Sequence, residues 1–327
     1  MRSILLDYDL PPAAIAQTPI EPRDASRLLV DRGPTVAPEH RSVADLPSLI
    51  RPGDLLVLND TRVRPARLRL HKPTGGAVEV LLLEDHGGGR WDALVRPGRK
   101  VSEGMVLEAA GGEVRVEVGA GTPDGVRAVR IEGDPATVGE VPLPPYIHEP
   151  LVDAERYQTV YARRPSSSAA PTAGLHLTDE VLEACRAAGA SIATIELSVG
   201  LDTFRPIATP TVEAHPMHTE AYVVPDETWA ACQGAARVIA VGTTVVRALE
   251  ATAASGVLAG RTDLFIRRGF EFRVVDALLT NFHVPRSTLL AMIDAFIGPR
   301  WSDLYALALA EGYRFLSFGD CMLLERA

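Results

Sequence analysis

The residues able to do chemistry fall in a few short blocks. Ala169-Ala170-Pro171-Thr172-Ala173-Gly174-Leu175-His176 is small, apolar and rigid, and it ends on an imidazole. It is too poor in polar groups for a linker and too rich in turn formers for a helix interior. It reads as a buried loop presenting His176 to a ligand, or as packing around a satisfied core histidine. His215-Pro216-Met217-His218-Thr219-Glu220 places two imidazoles and a carboxylate close together. Zinc ligation is the first reading of such a cluster. Pro216 breaks any helix that would set both histidines on one face, and the chain has no HExxH. Proton transfer by His218 and Glu220 is the better reading, and no metal is expected.

Other blocks suit binding. Val241-Gly242-Thr243-Thr244-Val245-Val246-Arg247 reads as a strand, a glycine turn and a helix start. Free N–H groups and the helix dipole there suit an anion such as a carboxylate or phosphate. Asn59-Asp60-Thr61-Arg62 closes the apolar run 55–58 in polar residues. The end of a buried strand is a common ligand position in α/β folds, although these residues could equally satisfy a turn. Thr280-Asn281-Phe282-His283-Val284-Pro285-Arg286-Ser287-Thr288 is another polar cluster after a strand, with Asn281, His283, Ser287 and Thr288 as candidates.

Strands and helices alternate around these blocks, which predicts an α/β main domain built on a central sheet. Helices are expected at 11–17 and 43–50, at 179–188 behind a Thr178 cap and stopped by Gly189, and at 226–233 and 245–254. Two more are expected at 288–297 behind Ser287 and at 303–311 behind Ser302. Strands are expected at 28–30, 55–58, 191–197, 237–241, 263–266, 274–279 and 313–318. Between 66 and 139 the texture changes to short strands separated by turns such as Gly87-Gly88-Gly89 and Pro123-Asp124-Gly125. No helix pattern interrupts them. Residues 66–139 therefore read as an inserted small all-β, barrel-like domain, with 1–65 and 140–327 as the discontinuous main domain. Val141-Pro142-Leu143-Pro144-Pro145-Tyr146-Ile147 is the stiff return linker.

The chain has 327 residues, which fits two domains at ~150 each. It is 46% hydrophobic, and no run approaches the ~20 apolar residues that span a bilayer. Asp7 and Asp9 interrupt the start, so it does not read as a signal peptide. Cys185, Cys232 and Cys321 lack CxxC spacing and read as buried thiols, so a cytoplasmic location is expected. A net charge of −9 argues against wrapping in nucleic acid, while Arg96, Arg99 and Lys100 form a local basic cluster.

The blocks together resemble the S-adenosylmethionine:tRNA ribosyltransferase-isomerase family of queuosine biosynthesis, nearly end to end from Gln17 to Met322. The family patterns are QxPxxxRDxSRLL, NDTRV, PLPPYI, HxMHxE, VGTTxxRxLE, DxLxTNFHxPxST and YRFxSxGD. The resemblance implies transfer and rearrangement of the ribosyl part of S-adenosylmethionine onto the aminomethyl-7-deazaguanine (preQ1) of a tRNA. The product is epoxyqueuosine, with adenine and methionine released. It implies S-adenosylmethionine as a consumed substrate, no cofactor, and a monomer that works on tRNA. His176, His218, Glu220 and His283 become candidates for the base that attacks the carbon beside the sulfonium and the acid that frees adenine. Asn59, Asp60, Thr61, Arg62, Pro171, Thr172, Gly174, Gly242, Thr243, Thr244, Arg247, Asn281, Ser287 and Thr288 become candidates for binding. The departures concentrate in one place. Where the family reads TLHVGxGTFxPV, this chain has Glu196, Ser198 and Asp202 in place of threonine, histidine and glycine. Leu177 and Arg267-Arg268 also depart. These changes leave open a related enzyme with another, small-molecule acceptor. A non-catalytic RNA-binding protein built on the β insert is the third reading.

Overall fold

The computed structural model describes residues 1–122, 125–200 and 206–326. The expected turn at Pro123-Asp124 and the substituted Asp202 lie outside the described residues. The chain divides into two compact units, Met1–Arg62 with Pro144–Ala327, and Val63–Leu143.

Among the described residues, the larger unit carries a nine-stranded mixed sheet. Its order is Ala259–Thr262, Glu220–Val223, Ser191–Leu197, Asp54–Asn59, Arg237–Val241, Ala277–Asn281, Cys321–Glu325, Arg27–Asp31, Glu39–Ser42. The four strands from Ser191–Leu197 to Ala277–Asn281 run parallel. Asp54–Asn59, Arg237–Val241 and Ala277–Asn281 are buried at every position because both of their faces are covered. Leu55 and Val57 pack with Val245, Leu249 and Ile293 in one core, while Leu56 and Leu58 pack with Val43, Leu46 and Val181 in the other. That division follows from the period of two along a strand. At the other end of the sheet Arg237 holds Asp54 through two hydrogen bonds, of 3.0 and 2.5 Å.

Five α-helices lie among the described residues of this unit: α1 Asp179–Ala187, α2 Asp226–Gly234, α3 Thr243–Ser255, α4 Thr288–Ile297 and α5 Trp301–Ala310. Thr178 caps α1 by accepting the Val181 N–H at 3.2 Å, and Ser287 caps α4 by accepting that of Leu290 at 3.1 Å. α5 begins before Ser302, so Ser302 lies inside it and caps nothing. The expected helix at 43–50 is a 3₁₀ turn, Val43–Leu49, because Pro47 lacks the N–H that an α-helix needs there. Pro12–Ala14 is likewise a short 3₁₀ turn.

Two expected strands are displaced. The segment 263–266 is irregular, and the strand precedes it at Ala259–Thr262. The segment 313–318 is a compact turn, and the strand follows it at Cys321–Glu325. There Leu316 takes a left-handed φ of 70°, which ends any extended run.

The smaller unit is all β. Arg67–His71, Ala77–Asp85, Arg90–Arg96, Val126–Glu132, Arg115–Gly121 and Val106–Glu108 pair in that order, all antiparallel. The last strand returns to the first through His71 and Glu108, so the barrel closes. Arg96, Arg99 and Lys100 are exposed on it, and Lys72 donates a hydrogen bond to the Lys100 carbonyl.

Candidate active site

The four parallel strands end at Leu197, Asn59, Val241 and Asn281. Of these four strands, the one that follows Asp54–Asn59 in the chain, Ser191–Leu197, lies on one side, and the one that follows Arg237–Val241 by way of the edge strand Ala259–Thr262, Ala277–Asn281, lies on the other. The crevice between such diverging connections is where open α/β sheets bind ligands. A small, partly open cleft lies at these strand ends. Pro171, Thr172, Gly242, Thr243, Thr244, Asn281 and His283 line it, joined by Tyr146, Thr280 and Ser317. Among the described residues, no Asp, Glu, Lys or Arg lines it.

The segment 169–176 is buried and winds into a 3₁₀ turn, Thr172–His176. Gly174 is required there because a Cβ would collide with the Tyr161 hydroxyl and the Thr159 methyl. Asn281 organises this side of the cleft. Its Nδ2 donates to His176 Nε2 at 2.9 Å and to the Leu316 carbonyl at 3.2 Å, and its Oδ1 accepts from the Thr172 hydroxyl at 3.0 Å. The amide orientation makes His176 Nε2 the acceptor. The neutral ring therefore donates Nδ1–H to Ser26 Oγ at 2.8 Å, and Ser26 passes a bond to the Arg23 carbonyl. Burial, together with the charges of Arg314, Arg23 and Arg156, pushes the His176 pKa down to about 3. Both its ring nitrogens are engaged, one by Asn281 and one by Ser26.

His283 does line the cleft. Its Nε2 lies 3.0 Å from Thr280 Oγ1. Its backbone is held from both sides, with its N–H donating to Tyr305 Oη at 3.0 Å and its carbonyl accepting from Tyr8 Oη at 2.5 Å. Burial pushes its pKa down to about 3, so the ring is neutral near pH 7. His218 is exposed and gives its carbonyl to Arg247. Glu220 is buried in an ion pair with Arg247 at 2.6 Å. Of the expected acid/base pair, His218 is thus exposed while the Glu220 carboxylate is engaged by the Arg247 guanidinium.

Asn59 is fully buried and does not line the cleft. Its amide exchanges two bonds with Leu197, and its Nδ2 also donates to Thr244 Oγ1 at 3.3 Å. It ties two strand ends to the start of α3. Thr61 bonds Ser166 at 2.8 Å, and Arg62 pairs with Glu155. Burial raises the Asp60 carboxyl above its ordinary range, opposed by a bond from Thr194 and the charge of Arg163. Ser287 and Thr288 start α4. None of these residues, nor Arg247 or Gly174, lines the cleft.

Tyr146, Thr280 and Ser317 were not singled out from the sequence, although each stands in a block that carried the resemblance. Tyr146 Oη lies 2.7 Å from Ser317 Oγ. Gln17 holds the Tyr146 carbonyl at 3.0 Å, which gives the N-terminal polar block a supporting task. Among the described residues, the departures Leu177, Glu196, Ser198, Arg267 and Arg268 do not line the cleft. Arg268 grips Asp294 with bonds of 3.0 and 2.6 Å, Arg267 lies 3.5 Å from Glu213, and Glu196 lies 3.4 Å from Arg164.

The sheet, the inserted barrel and the cleft define a family that comparison identifies. The profile of the queuosine biosynthesis protein family matches residues 5–324, and the chain belongs to that family. A relative from Rubrobacter xylanophilus, named S-adenosylmethionine:tRNA ribosyltransferase-isomerase, is 52% identical, over 99% of this chain and 98% of its own. One of the same name from Thermus thermophilus is 50% identical, over 97% and 98%. The crystal structure of S-adenosylmethionine tRNA ribosyltransferase from Thermotoga maritima superposes with a TM-score of 0.57 at 38% identity, covering 98% and 99% of the two chains.

Proposed function

We propose that this chain is an enzyme that transfers and isomerises the ribosyl part of S-adenosylmethionine onto the preQ1 base of tRNA. Epoxyqueuosine forms, and adenine and methionine leave. Full-length similarity to relatives of that name supports the reading. The structural observation that carries it is the cleft at the ends of the parallel strands, lined by hydroxyls, one amide and one imidazole.

Such a lining suits the reaction. Tyr146 offers aromatic surface for a purine. The hydroxyls of Thr172 and Thr280 can follow the ribose without fixing a charge beside the sulfonium. His283, neutral because it is desolvated, accepts a proton or donates an uncharged hydrogen bond where adenine or the C5′ hydrogen is placed. Asn281, fixed by His176 and Thr172, positions the bound donor. The donor is consumed as a substrate, so no metal or cofactor takes part. The enzyme works as a monomer in the cytoplasm. No described helix is long and apolar enough to cross a membrane.

The test is incubation with S-adenosylmethionine and an anticodon stem-loop carrying preQ1. Free adenine, free methionine and a modified base should appear together, and chelators should leave the rate unchanged. Adenine release with free preQ1 but not with the stem-loop would favour a small-molecule acceptor. Stem-loop binding without adenine release would favour a non-catalytic RNA binder.

A further inference from the structure

α3 differs from its neighbours at its N-terminus. α1 and α4 are capped by Thr178 and Ser287, and α2 and α5 carry acidic residues in their first turns. α3 has Gly242 at its cap, no side-chain cap bond and no acidic residue in its first turn. Gly242 has φ 96°, which a side chain rarely adopts, and this turns the strand Arg237–Val241 directly into the helix. Its N–H is used by the Leu279 carbonyl, and its carbonyl is used by Val245. Among the described residues, the N–H groups of Thr243 and Thr244 have no acceptor. The Thr243 side chain is only 8% exposed, its hydroxyl has no partner among the described residues, and it lines the cleft. Three donors thus stand at the positive end of a 13-residue helix. Asn59 fixes the neighbouring Thr244 hydroxyl. No arginine or lysine among the described residues lines the cleft to take an anion instead.

We infer that the N-terminus of α3, with the Thr243 hydroxyl, holds the carboxylate of the amino-acid end of the donor. This rests on the proposal that S-adenosylmethionine is the donor. A carboxylate fits three convergent donors with no protein charge opposite them. The amino-acid end is remote from the bonds that change, so its anchoring serves to orient the ribosyl carbon rather than to stabilise charge developing in the reaction.

Calorimetric titration of the full chain with S-adenosylmethionine and with its decarboxylated analogue tests the assignment. The wild-type chain should bind the analogue at least about 10-fold more weakly, since a hydrogen-bonded charge is lost. Thr243→Val should weaken S-adenosylmethionine by about 10-fold and leave the analogue unchanged, and Thr243→Ser should restore the discrimination. Equal affinity of the wild-type chain for both ligands, or equal weakening of both by Thr243→Val, overturns the inference while leaving the donor assignment standing. Failure of the wild-type chain to bind either ligand overturns the donor reading and the inference with it.

Discussion

Arg247 Nη1 lies 2.6 Å from Glu220 Oε2, with the two side chains only 10% and 8% exposed. Arg247 also donates to the carbonyls of His218 and Thr262, and Glu220 accepts the Gly200 N–H at 3.1 Å. One buried pair therefore joins α3, the edge strand Ala259–Thr262, its neighbour Glu220–Val223 and the backbone that follows Val199 at the cleft. Residues whose types suggested catalysis and substrate binding are engaged with each other.

Glu220→Gln should destabilise the chain by about 3–5 kcal/mol, because it leaves a buried guanidinium uncompensated. Arg247→Leu combined with Glu220→Leu should cost less than either single change, which denaturant unfolding would reveal. A fully stable Glu220→Gln protein that has lost all activity would instead return Glu220 to the reaction itself.

Stability should fall with acid through the histidines. His176 and His283 are neutral in the folded chain, with pKa values near 3, against ~6.5 when unfolded. The unfolded state binds more protons between these values, so stability rises with pH across that window and is complete above about pH 6.5. Each ring should contribute a slope of up to about 1.4 kcal/mol per pH unit. His176→Gln should lower the measured slope between pH 6 and 4 by about one proton; an unchanged slope would mean that His176 is not held neutral.

His283→Ala should lower kcat by about 10²- to 10⁴-fold with donor affinity kept within a few-fold. The kcat profile of the wild-type enzyme should show no histidine ionisation near pH 6.5, since the ring titrates near 3. A kcat loss below 10-fold would remove His283 from proton transfer.

Gly174→Ala should destabilise by about 1–3 kcal/mol, because the added methyl enters the space of the Tyr161 hydroxyl. Tyr161→Phe in the same chain should recover part of that loss, a coupling that a double-mutant cycle measures. Strict additivity would mean that the two groups do not meet.

Reversing Arg96, Arg99 and Lys100 to glutamate should weaken tRNA binding and flatten its salt dependence. Each lost phosphate contact removes ~0.7–0.9 from the slope of log K against log salt. An unchanged affinity would place the RNA on another surface.

The α/β class, the β insert and the caps Thr178 and Ser287 were legible because periodicity and capping are local signals. The strand ends carrying Asn59, Gly242 and Asn281 were legible for the same reason. What local pattern could not show was which polar groups satisfy one another. His176 and Asn281 stand 105 residues apart in the chain, as do Asn59 and Leu197 at 138, and only the fold brings these partners together. The left-handed turn at Leu316 displaced the last strand because its local sequence, Tyr313 to Phe318, is as apolar as a strand. Tyr146 and Ser317 escaped notice because a tyrosine in a proline-rich segment and a serine in an aromatic one give no chemical signal until they meet.

The central claim is ribosyl transfer, and isotopic labelling tests it most directly. S-adenosylmethionine labelled with ¹³C at every ribosyl carbon is incubated with the enzyme and a preQ1 stem-loop, and the nucleosides are analysed by mass spectrometry. The account predicts that the modified base gains every ribosyl carbon while adenine and methionine emerge unlabelled. A base that gains only the donor's methyl group, or a stem-loop that stays unlabelled while the donor is bound, would contradict it.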